Sequence, residues 1–428
     1  MGLIYRDGTL QFGEEKFCNL LDIAKARNSP FYLYDIDAMR TRARKLKGAY
    51  PGLEVHYAMK ANGSLRVLRT FREEGTGVDT VSGGEIRTAF RAGFQAHDVI
   101  FSGVGKTRSE LELAIGLGIK QINVESPQEL IRIVALAKAS GRRPKIAFRV
   151  NPDVDAKTHP YITTGFRENK FGMGESFFPE LREILRGAGD AVELVGLTLH
   201  IGSQLQDLRP LEDAIGITLQ AYRAFQADGF KMQTLDVGGG LGIPYKEDHT
   251  VPSRDLALLD GYGALLARAL KGFQGRVLCE PGRILVGSSG TLVSEVQYVK
   301  ETPFRNFLIV NTGMHHLMRP ALYQAHHRVL PLAENAERQI HRYDVVGPIC
   351  ESSDVIGKDR ELREVRQGEF LAIADAGAYG FSMANNYNEH ALPEELFWEK
   401  GLLTTANGAS AFRDASPFAK QLSTDSRL

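Results

Sequence analysis

Residues 77–126, GVDTVSGGEIRTAFRAGFQAHDVIFSGVGKTRSELELAIGLGIKQINVES, repeat one unit twice and begin it a third time. Each unit starts with a short apolar run that is rich in β-branched residues. It passes through Gly or polar residues into a stretch such as GGEIRTAFRAGF, whose apolar residues recur every three or four positions. This alternation is typical of a β-strand followed by an amphipathic helix. It predicts parallel strands that pair within one sheet.

The same unit continues in both directions along the chain, and the first five apolar runs begin 22–24 residues apart. The eight runs are EVHYAMK (54–60), GVDTVS (77–82), VIFSGV (99–104), QINVES (121–126), KIAFRVN (145–151), LVGLTLHIGS (194–203), TLDVGGG (234–240) and VLCEPGR (277–283). Eight units predict an α/β fold, a closed (β/α)₈ barrel of the TIM type, with a doubly wound open sheet as the alternative. In such a barrel, chemistry gathers at the carboxyl ends of the strands.

The rhythm changes after Arg283. Segments such as NFLIVN (306–311) and GEFLAIADAG (368–377) resemble strands without long helices between them. We therefore predict a barrel over 31–283, a mainly β domain over 284–410 and a tail over 411–428. The segment 1–30 contains the hairpin-like YRDGTLQFG and is expected to pack on the β domain.

Composition excludes several classes of function. The 428 residues contain 52 Lys plus Arg and 52 Asp plus Glu, so the net charge of zero argues against a nucleic-acid or anionic-membrane partner. The cysteines Cys18, Cys279 and Cys350 are too scattered for a disulfide framework or a metal site, which favours a cytoplasmic protein. The N-terminal MGLIYRDGTLQFG lacks the apolar core of a secretion signal.

Polar residues at the strand ends are the candidates for chemistry. Lys60 ends the first run, where loss of solvent would free its amine for imine formation. His200 can stack on a planar cofactor, and Ser203 can donate to a phosphate. Gly238–Gly240 allow close approach of an anion. Taken singly, each has a structural alternative: a solvated lysine, a satisfied histidine, a turn.

Later segments add further candidates. In EPGR (280–283), Glu280 can pair with a heterocycle nitrogen and Arg283 can bind a carboxylate, or the two can form a structural ion pair. Cys350 lies in GPICESSD, which is more typical of a loop than of a core, so a reactive thiol stands beside inert packing as the alternative. One helical turn in MRPALY (318–323) would align Arg319 with Tyr323. The segment 375–388, which contains Tyr379, can close over a ligand or simply reverse the chain.

Two nucleotide-binding motifs fail. SGVGKT (102–107) ends like a P-loop but lacks the preceding glycine spacing. GGGLG (238–242) does not match GxGxxG, so a dinucleotide site is not predicted.

The ordered motifs together resemble the fold-type III pyridoxal-phosphate-dependent decarboxylases, from about residue 28 to 390. The segments that carry the resemblance include HYAMKAN, DTVSGGE, FSGVGKT, FRVNPDVDAKTHPYITTG, HIGSQ, DVGGGLGIPY, EPGR, MRPALY, GPICES and GAYGFSMANNYN. Within this family the chain is similar to members that convert meso-2,6-diaminopimelate to L-lysine and CO2, the last step of lysine biosynthesis. The resemblance implies pyridoxal 5'-phosphate as the cofactor and a homodimer with shared active sites.

The resemblance also assigns roles. Lys60 carries the cofactor as a Schiff base, Glu280 partners the pyridine nitrogen, and Cys350 protonates the carbanion. The implied cofactor-binding residues are Lys60, His200, Ser203, Gly238, Gly239, Gly240, Glu280, Gly282, Arg283 and Tyr379. The implied substrate-binding residues are Arg283, Arg319, Tyr323, Glu351 and Tyr379.

The substrate stays open between members of this family. The chain differs from the family pattern at Asn311, where an acidic residue is usual, at His315 and His316, and at Ile284. The alternatives are ornithine, lysine, arginine, carboxynorspermidine and a carrier-bound glutamyl group. A racemase and a small barrel that only binds the cofactor are disfavoured, since neither would present Cys350 on a β domain.

Overall fold

The computed structural model describes residues 2–27, 30–155, 170–246 and 254–406. The chain divides into two compact units. The barrel unit comprises Arg40–Pro244 and Ser253–Val286, and the β unit comprises Met1–Met39, Tyr245–Pro252 and Gly287–Leu428. The predicted tail over 411–428 lies outside the described residues.

The N-terminal residues belong to the β unit. Asp7 and Gly8 have positive φ angles of 47° and 72° in a tight turn, and the strands on either side pair antiparallel. The hairpin predicted there is confirmed. Leu10 and Phe12 lie in a buried core with Leu332 and other side chains of the same unit. The elements are β1 Leu3–Arg6, β2 Thr9–Phe12, β3 Cys18–Asn19, α1 Leu20–Lys25, β4 Phe31–Asp35 and α2 Ile36–Lys47.

The predicted barrel start at residue 31 is wrong, because strand β4 belongs to the sheet of the β unit. All five residues of FYLYD are buried, and the strand pairs antiparallel with Gly290–Glu301 and parallel with Glu394–Glu399. An apolar run that is buried on both faces is equally compatible with either sheet, so its pattern alone could not assign it.

The eight predicted barrel strands are confirmed. They are β5 Glu54–Ala58, β6 Gly77–Thr80, β7 Val99–Phe101, β8 Gln121–Val124, β9 Lys145–Val150, β10 Glu193–Leu199, β11 Thr234–Asp236 and β12 Arg276–Cys279. All are parallel, and pairing of β12 with β5 closes the barrel. Closure brings the eight carboxyl ends to one rim.

Short polar residues start the helices that follow the barrel strands. The hydroxyls of Ser82, Thr107 and Ser126 accept from backbone amides three residues on, which satisfies helix N-termini directly after β6, β7 and β8. The helices are α3 Leu65–Glu73, α4 Gly83–Ala92, α5 Arg108–Leu117, α6 Pro127–Ser140, α7 Phe178–Ala188, α8 Arg209–Ala227, α9 Arg254–Ala269 and α10 Arg283–Val286. None of the helices in the described ranges is long and apolar enough to span a membrane.

The residues after the barrel form the mainly β structure that was predicted. The long strand β13 lies between β4 and two further partners, so one sheet continues through the unit. The elements are β13 Gly290–Glu301, β14 Asn306–Val310, α11 Arg319–Tyr323, β15 Val329–Pro331, β16 Ile340–Val346, β17 Val355–Arg363, β18 Phe370–Ile373, β19 Glu394–Glu399 and β20 Leu402–Thr405.

The charge pattern of the basic run RTRARKLK (40–47) predicts a solvated helix face, which holds for the exposed Arg44 and is wrong for the buried Arg42. Arg42 is 1% exposed, and its Nε and Nη2 both donate to Asp255 of α9, at 3.1 and 2.9 Å. Lys45, one turn away, pairs instead with the exposed Asp260 of the same helix. The run therefore ties α2 to α9 within the barrel unit through one buried pair and one exposed pair.

Removing one partner of the buried pair is expected to destabilise the protein strongly. Asp255→Ala leaves the Arg42 guanidinium buried without this carboxylate, which we expect to lower the free energy of unfolding by about 3–5 kcal/mol. Asp260→Ala removes the exposed partner from the same two helices and is expected to change it by less than about 1 kcal/mol. Urea denaturation of both variants measures the difference, and equal losses would contradict this account.

Candidate active site

Lys60 lies at the carboxyl rim of the barrel. Strand β5 ends at Ala58, and Lys60 follows in the single helical turn Met59–Ala61. Its Nζ is 3.6 Å from Oδ2 of Asp79, a fully buried carboxyl on β6. The structure therefore places an amine at the predicted position and gives it a carboxylate neighbour on the adjacent strand.

Lys60 was expected to lose its contact with solvent, and this expectation is wrong. The side chain is 42% exposed, because it extends from the turn beyond the strand and not from the strand itself. Its accessibility leaves the amine open to a reacting molecule. The charge of this amine nevertheless reaches the interior of the rim, since it lowers the pKa of Asp79 and of Glu280 against larger opposing effects of burial.

Glu280 follows β12 and carries a buried carboxyl with a strongly raised pKa. Burial raises its pKa well above the usual range, and the charges of Asp236 and Asp79 raise it further. Its Oε1 accepts from Asn123 Nδ2 at 3.0 Å and lies 3.5 Å from Ser102 Oγ. A carboxyl that holds its proton in this way can share that proton with a ring nitrogen.

Sequence reasoning missed Asp79 and Asp236. Asp79 Oδ1 accepts from Ser102 Oγ at 2.6 Å, and burial raises its pKa. Asp236 Oδ1 accepts from the amide of Gly238 at 2.8 Å, and its carboxyl shares a hydrogen bond with Glu280. Asp236 is the last residue of β11, and Asp79 is the last but one of β6, so the available signal was a carboxylate near the end of an apolar strand.

His200 and the three glycines lie together after β10 and β11. The amide of Gly239 donates to His200 Nδ1 at 3.4 Å. Burial, and then the charges of Arg149 and Lys60, lower the pKa of His200 well below its usual value. The imidazole is therefore neutral at physiological pH and suits contact with an aromatic ring.

The glycine run is required by close packing of backbones. A Cβ at Gly238, Gly239 or Gly240 would overlap the carbonyl oxygens of Leu199, Glu280 and Gly202, respectively. Gly238 and Gly240 also have positive φ angles of 69° and 99°. A turn of this kind, without side chains, leaves main-chain groups as the surface that an anion would meet.

Ser203 and Arg283 are joined directly. Arg283 Nη2 donates to Ser203 Oγ at 3.0 Å, and the guanidinium is 7% exposed. Gly282 precedes this arginine at the start of α10. The contact orders the Ser203 hydroxyl. The two predicted residues Ser203 and Arg283 therefore lie together at one place on the rim.

Arg149 and Lys106 are also engaged at the rim. Arg149 Nη1 donates to Glu125 at 2.8 Å, a pair that sequence reasoning missed. Lys106, the lysine of the rejected P-loop motif, is buried and donates to Gly103 O, Asn123 O and Glu129 Oε1. These three acceptors explain this lysine as a structural residue of the barrel unit.

The β unit carries the other predicted site residues. Arg319 and Tyr323 begin and end the single turn α11, as the spacing predicted. Arg319 is 6% exposed, and its Nη1 donates to Nε2 of His327 at 2.7 Å. His327 was not singled out in the sequence, because a histidine in HHRVL gives no local signal of its partner.

Cys350 and Glu351 lie in the loop between β16 and β17. The thiol residue is exposed, whereas Cys18 and Cys279 are buried. The hydroxyl of Tyr387 donates to Glu351 Oε1 at 3.0 Å, which links this loop to the segment 375–388. Tyr379 stands in that same segment with a positive φ of 57°. An exposed thiol with an oriented carboxylate beside it is a suitable proton donor.

The departures at His315 and His316 belong to a cluster of three histidine rings that contact one another at tilted angles. The His315 ring centroid is 3.6 Å from that of His316 and 4.6 Å from that of His390. Burial lowers the pKa of His315 to about 3 and that of His316 to about 4. Both nitrogens of His315 are buried without a hydrogen-bond partner among the described residues.

The departure at Asn311 has its own structural role. Asn311 Oδ1 accepts from Ser294 Oγ at 2.8 Å.

This histidine cluster is expected to make the stability of the folded protein sensitive to acid. The unfolded chain protonates this imidazole near pH 6.5, but folded His315 does so only near pH 3. Between these values the unfolded state holds more protons, so stability falls as pH falls. His315→Leu should make this loss shallower by about 1.4 kcal/mol per pH unit. Denaturation at several pH values measures the slope, and the exposed His97→Leu is the control. An unchanged slope in H315L would contradict the assignment.

Comparison with known sequences gives a family match for the barrel. The pyridoxal binding domain of pyridoxal-dependent decarboxylases matches residues 36–287. Diaminopimelate decarboxylase of Aquifex aeolicus is 39% identical over 405 residues, which cover 93% of each chain. The enzyme of that name from Vibrio cholerae is 41% identical over 374 residues, covering 86% of this chain and 87% of the relative. The similarity thus extends well beyond the barrel into the β unit.

Comparison with solved structures agrees with the sequence match. A crystal structure of diaminopimelate decarboxylase from Helicobacter pylori, complexed with L-lysine, superposes with a TM-score of 0.85 at 37% identity. It covers 94% of this chain and 100% of the other. The barrel and the β unit are therefore both features that the relative shares.

Proposed function

The chain belongs to the diaminopimelate decarboxylase family of pyridoxal-dependent decarboxylases. From that premise we propose a role for each site residue in converting meso-2,6-diaminopimelate to L-lysine and CO2. The observation that carries the proposal is the barrel rim itself. There the accessible amine of Lys60 lowers the pKa of His200 and opposes the burial that raises the pKa of Glu280. These are the groups that hold an aromatic aldehyde cofactor.

The residues of the rim fit pyridoxal 5'-phosphate. Lys60 would supply the amine for the aldehyde carbon, and Glu280 would supply a carboxyl for the pyridine nitrogen. His200 would contact the ring. The turn Gly238–Gly240, with Ser203, Gly282, Arg283 and Tyr379, would hold the phosphate. When bound, the cofactor accepts the electron pair that loss of CO2 leaves on the substrate α-carbon.

The chain's own groups then move protons at defined atoms. Lys60 Nζ, held near Asp79, would hold the cofactor and would pass protons to and from the amine of the substrate and of the product. Glu280 would share a proton with the pyridine nitrogen, since burial raises the pKa of its carboxyl well above the usual range. After CO2 departs, the Cys350 Sγ–H bond breaks, its proton goes to the α-carbon, and the thiol becomes a thiolate that regains a proton from solvent.

Substrate recognition uses charges that match an amino acid with a second ammonium and a second carboxylate. Arg283 and Arg319 bind the carboxylate that is retained in the product. Glu351, oriented by Tyr387, binds the far ammonium group. Tyr323 and Tyr379 add hydroxyls. Ornithine, lysine and arginine lack the second carboxylate, so two buried arginines favour diaminopimelate over these alternatives.

We also propose a cytoplasmic homodimer. The exposed loop that carries Cys350 and Glu351 supports shared active sites, because a catalytic thiol needs a partner surface that excludes water. Sedimentation of the holoenzyme measures this, and an active monomer would contradict it.

The substrate is tested by CO2 release from a panel. Purified holoenzyme is incubated separately with meso-diaminopimelate, L-lysine, L-ornithine and L-arginine. We expect release from meso-diaminopimelate with stoichiometric formation of L-lysine, and release from the others at least about 100-fold slower. Release from lysine or ornithine, with none from diaminopimelate, would overturn the substrate assignment.

A further inference from the structure

Arg319 has surroundings that fix its direction. Its guanidinium carbon lies 4.5 Å from the ring centroid of Tyr245, and its Nη1 donates to Nε2 of His327 at 2.7 Å. The Tyr245 ring in turn packs edge-on against His327, with centroids 5.3 Å apart and planes at 72°. One ring thus covers a face of the guanidinium and another contacts its edge.

The hydrogen bonds of His327 determine its tautomer. A guanidinium can only donate, so Nε2 must accept from Arg319. Nδ1 lies 2.8 Å from the carbonyl oxygen of Ala374, which can only accept, so Nδ1 must carry the hydrogen. A neutral imidazole satisfies both contacts, and a protonated one would lose the first.

The main chain around His327 is also held. Arg360 Nη2 donates to the carbonyl of His327 at 3.1 Å, and the amide of Ala374 donates to the carbonyl of Arg328 at 2.9 Å. The His327 ring is fully buried. Ala374 follows β18 and leads into the segment that carries Tyr379. His327 therefore joins Arg319 to the strand end from which that segment departs.

We propose that His327 is a positioning residue that directs Arg319 toward the carboxylate retained in the product. This inference rests on the proposed function. An uncharged acceptor such as His327 orients the guanidinium without itself adding a negative charge that would compete with the substrate carboxylate. A carboxylate in the same place would orient Arg319 but would also weaken its attraction for the substrate.

Two substitutions separate the two hydrogen bonds of the ring. In His327→Gln the side-chain carbonyl reaches the former place of Nε2 and can still accept from Arg319. In His327→Asn the amide nitrogen takes the place of Nδ1 and can still donate to Ala374, but the acceptor for Arg319 is lost. A residue that only fills space would not distinguish these variants in this order.

The test compares ligands with and without the carboxylate. Holoenzymes of wild type, H327N and H327Q are assayed with meso-diaminopimelate, and inhibition by L-lysine and by 1,5-diaminopentane is measured. For H327N we expect about a 10-fold higher KM and 10-fold weaker lysine inhibition, with kcat and diaminopentane inhibition within about threefold of wild type. H327Q is expected to restore KM and lysine inhibition to within about threefold.

Other outcomes would overturn the proposal. If H327N and H327Q weaken lysine equally, or if diaminopentane weakens in parallel, His327 does not act through the carboxylate. If H327N does not fold, Tyr245→Leu serves instead, and unchanged lysine inhibition in that variant counts against the role. A wild-type holoenzyme that releases no CO2 from diaminopimelate refutes the proposed function itself, whatever the variants do.

Discussion

Lys60→Ala is expected to lower kcat/KM for meso-diaminopimelate by about 10³-fold or more. The amine at the barrel rim is the group proposed to bond the cofactor aldehyde and to exchange with the substrate. An alanine there removes both steps, while the turn Met59–Ala61 and the strand before it stay intact. Steady-state CO2 release from protein incubated with excess cofactor measures the loss.

A lysine at the opposite end of the barrel provides the control for this variant. Lys145 is the exposed first residue of β9, at the amino end of the strand. Since chemistry lies at the carboxyl rim, Lys145→Ala is expected to retain activity within about threefold. A Lys60→Ala enzyme that keeps both turnover and covalent cofactor would refute the assignment of Lys60.

Glu280→Gln is expected to lower kcat by about 10²-fold. The amide is isosteric, and its oxygen can still accept from Asn123, so the rim should keep its packing. An amide cannot carry the negative charge that stabilises a protonated pyridine nitrogen, so electron withdrawal from the substrate weakens. The measurement is kcat at saturating substrate, together with the cofactor content of the purified variant.

Glu54→Gln is the matched control for Glu280→Gln. Glu54 begins β5 at the amino end of the barrel and pairs with Lys120 and Arg276. We expect its kcat to stay within about threefold of wild type, because these pairs lie away from the rim. If Glu280→Gln also stayed within that range, Glu280 would not be the partner of the pyridine nitrogen.

The barrel strands could be predicted because each is a local pattern. A run such as VIFSGV carries its own signature of apolar, β-branched residues bounded by Gly, and repetition of that unit fixes parallel pairing. Strand β4 shows the limit of this reasoning. FYLYD is as apolar as a barrel strand, and its assignment to the β unit depends on partners more than 250 residues away in sequence.

The network around Glu280 could not be predicted, because it depends on barrel closure. Ser102 and Glu280 are 178 residues apart in sequence but 3.5 Å apart at the rim. Asp236 ends β11, which pairs directly with β12, whereas Asp79 lies near the end of β6 and comes close to Glu280 only when β12 pairs with β5. The sequence supplied the individual strand ends, and the fold supplied their neighbours.

Charge patterning failed for a related reason at Arg42. The closely spaced basic residues of RTRARKLK are typical of an exposed helix face. Arg42 is nevertheless buried, because it pairs with Asp255, 213 residues further on. The same holds for His327, whose role depends on Arg319, Ala374 and Tyr245 together. Polar residues whose burial depends on distant partners leave no periodic trace.

The most direct test of the central claim is to locate the cofactor on the chain. The holoenzyme is reduced with borohydride, digested and analysed by mass spectrometry. We expect the reduced cofactor on the peptide that contains Lys60, and an enzyme that is inactive after reduction. A reduced cofactor on any other lysine, with Lys60 unmodified, would contradict the central claim.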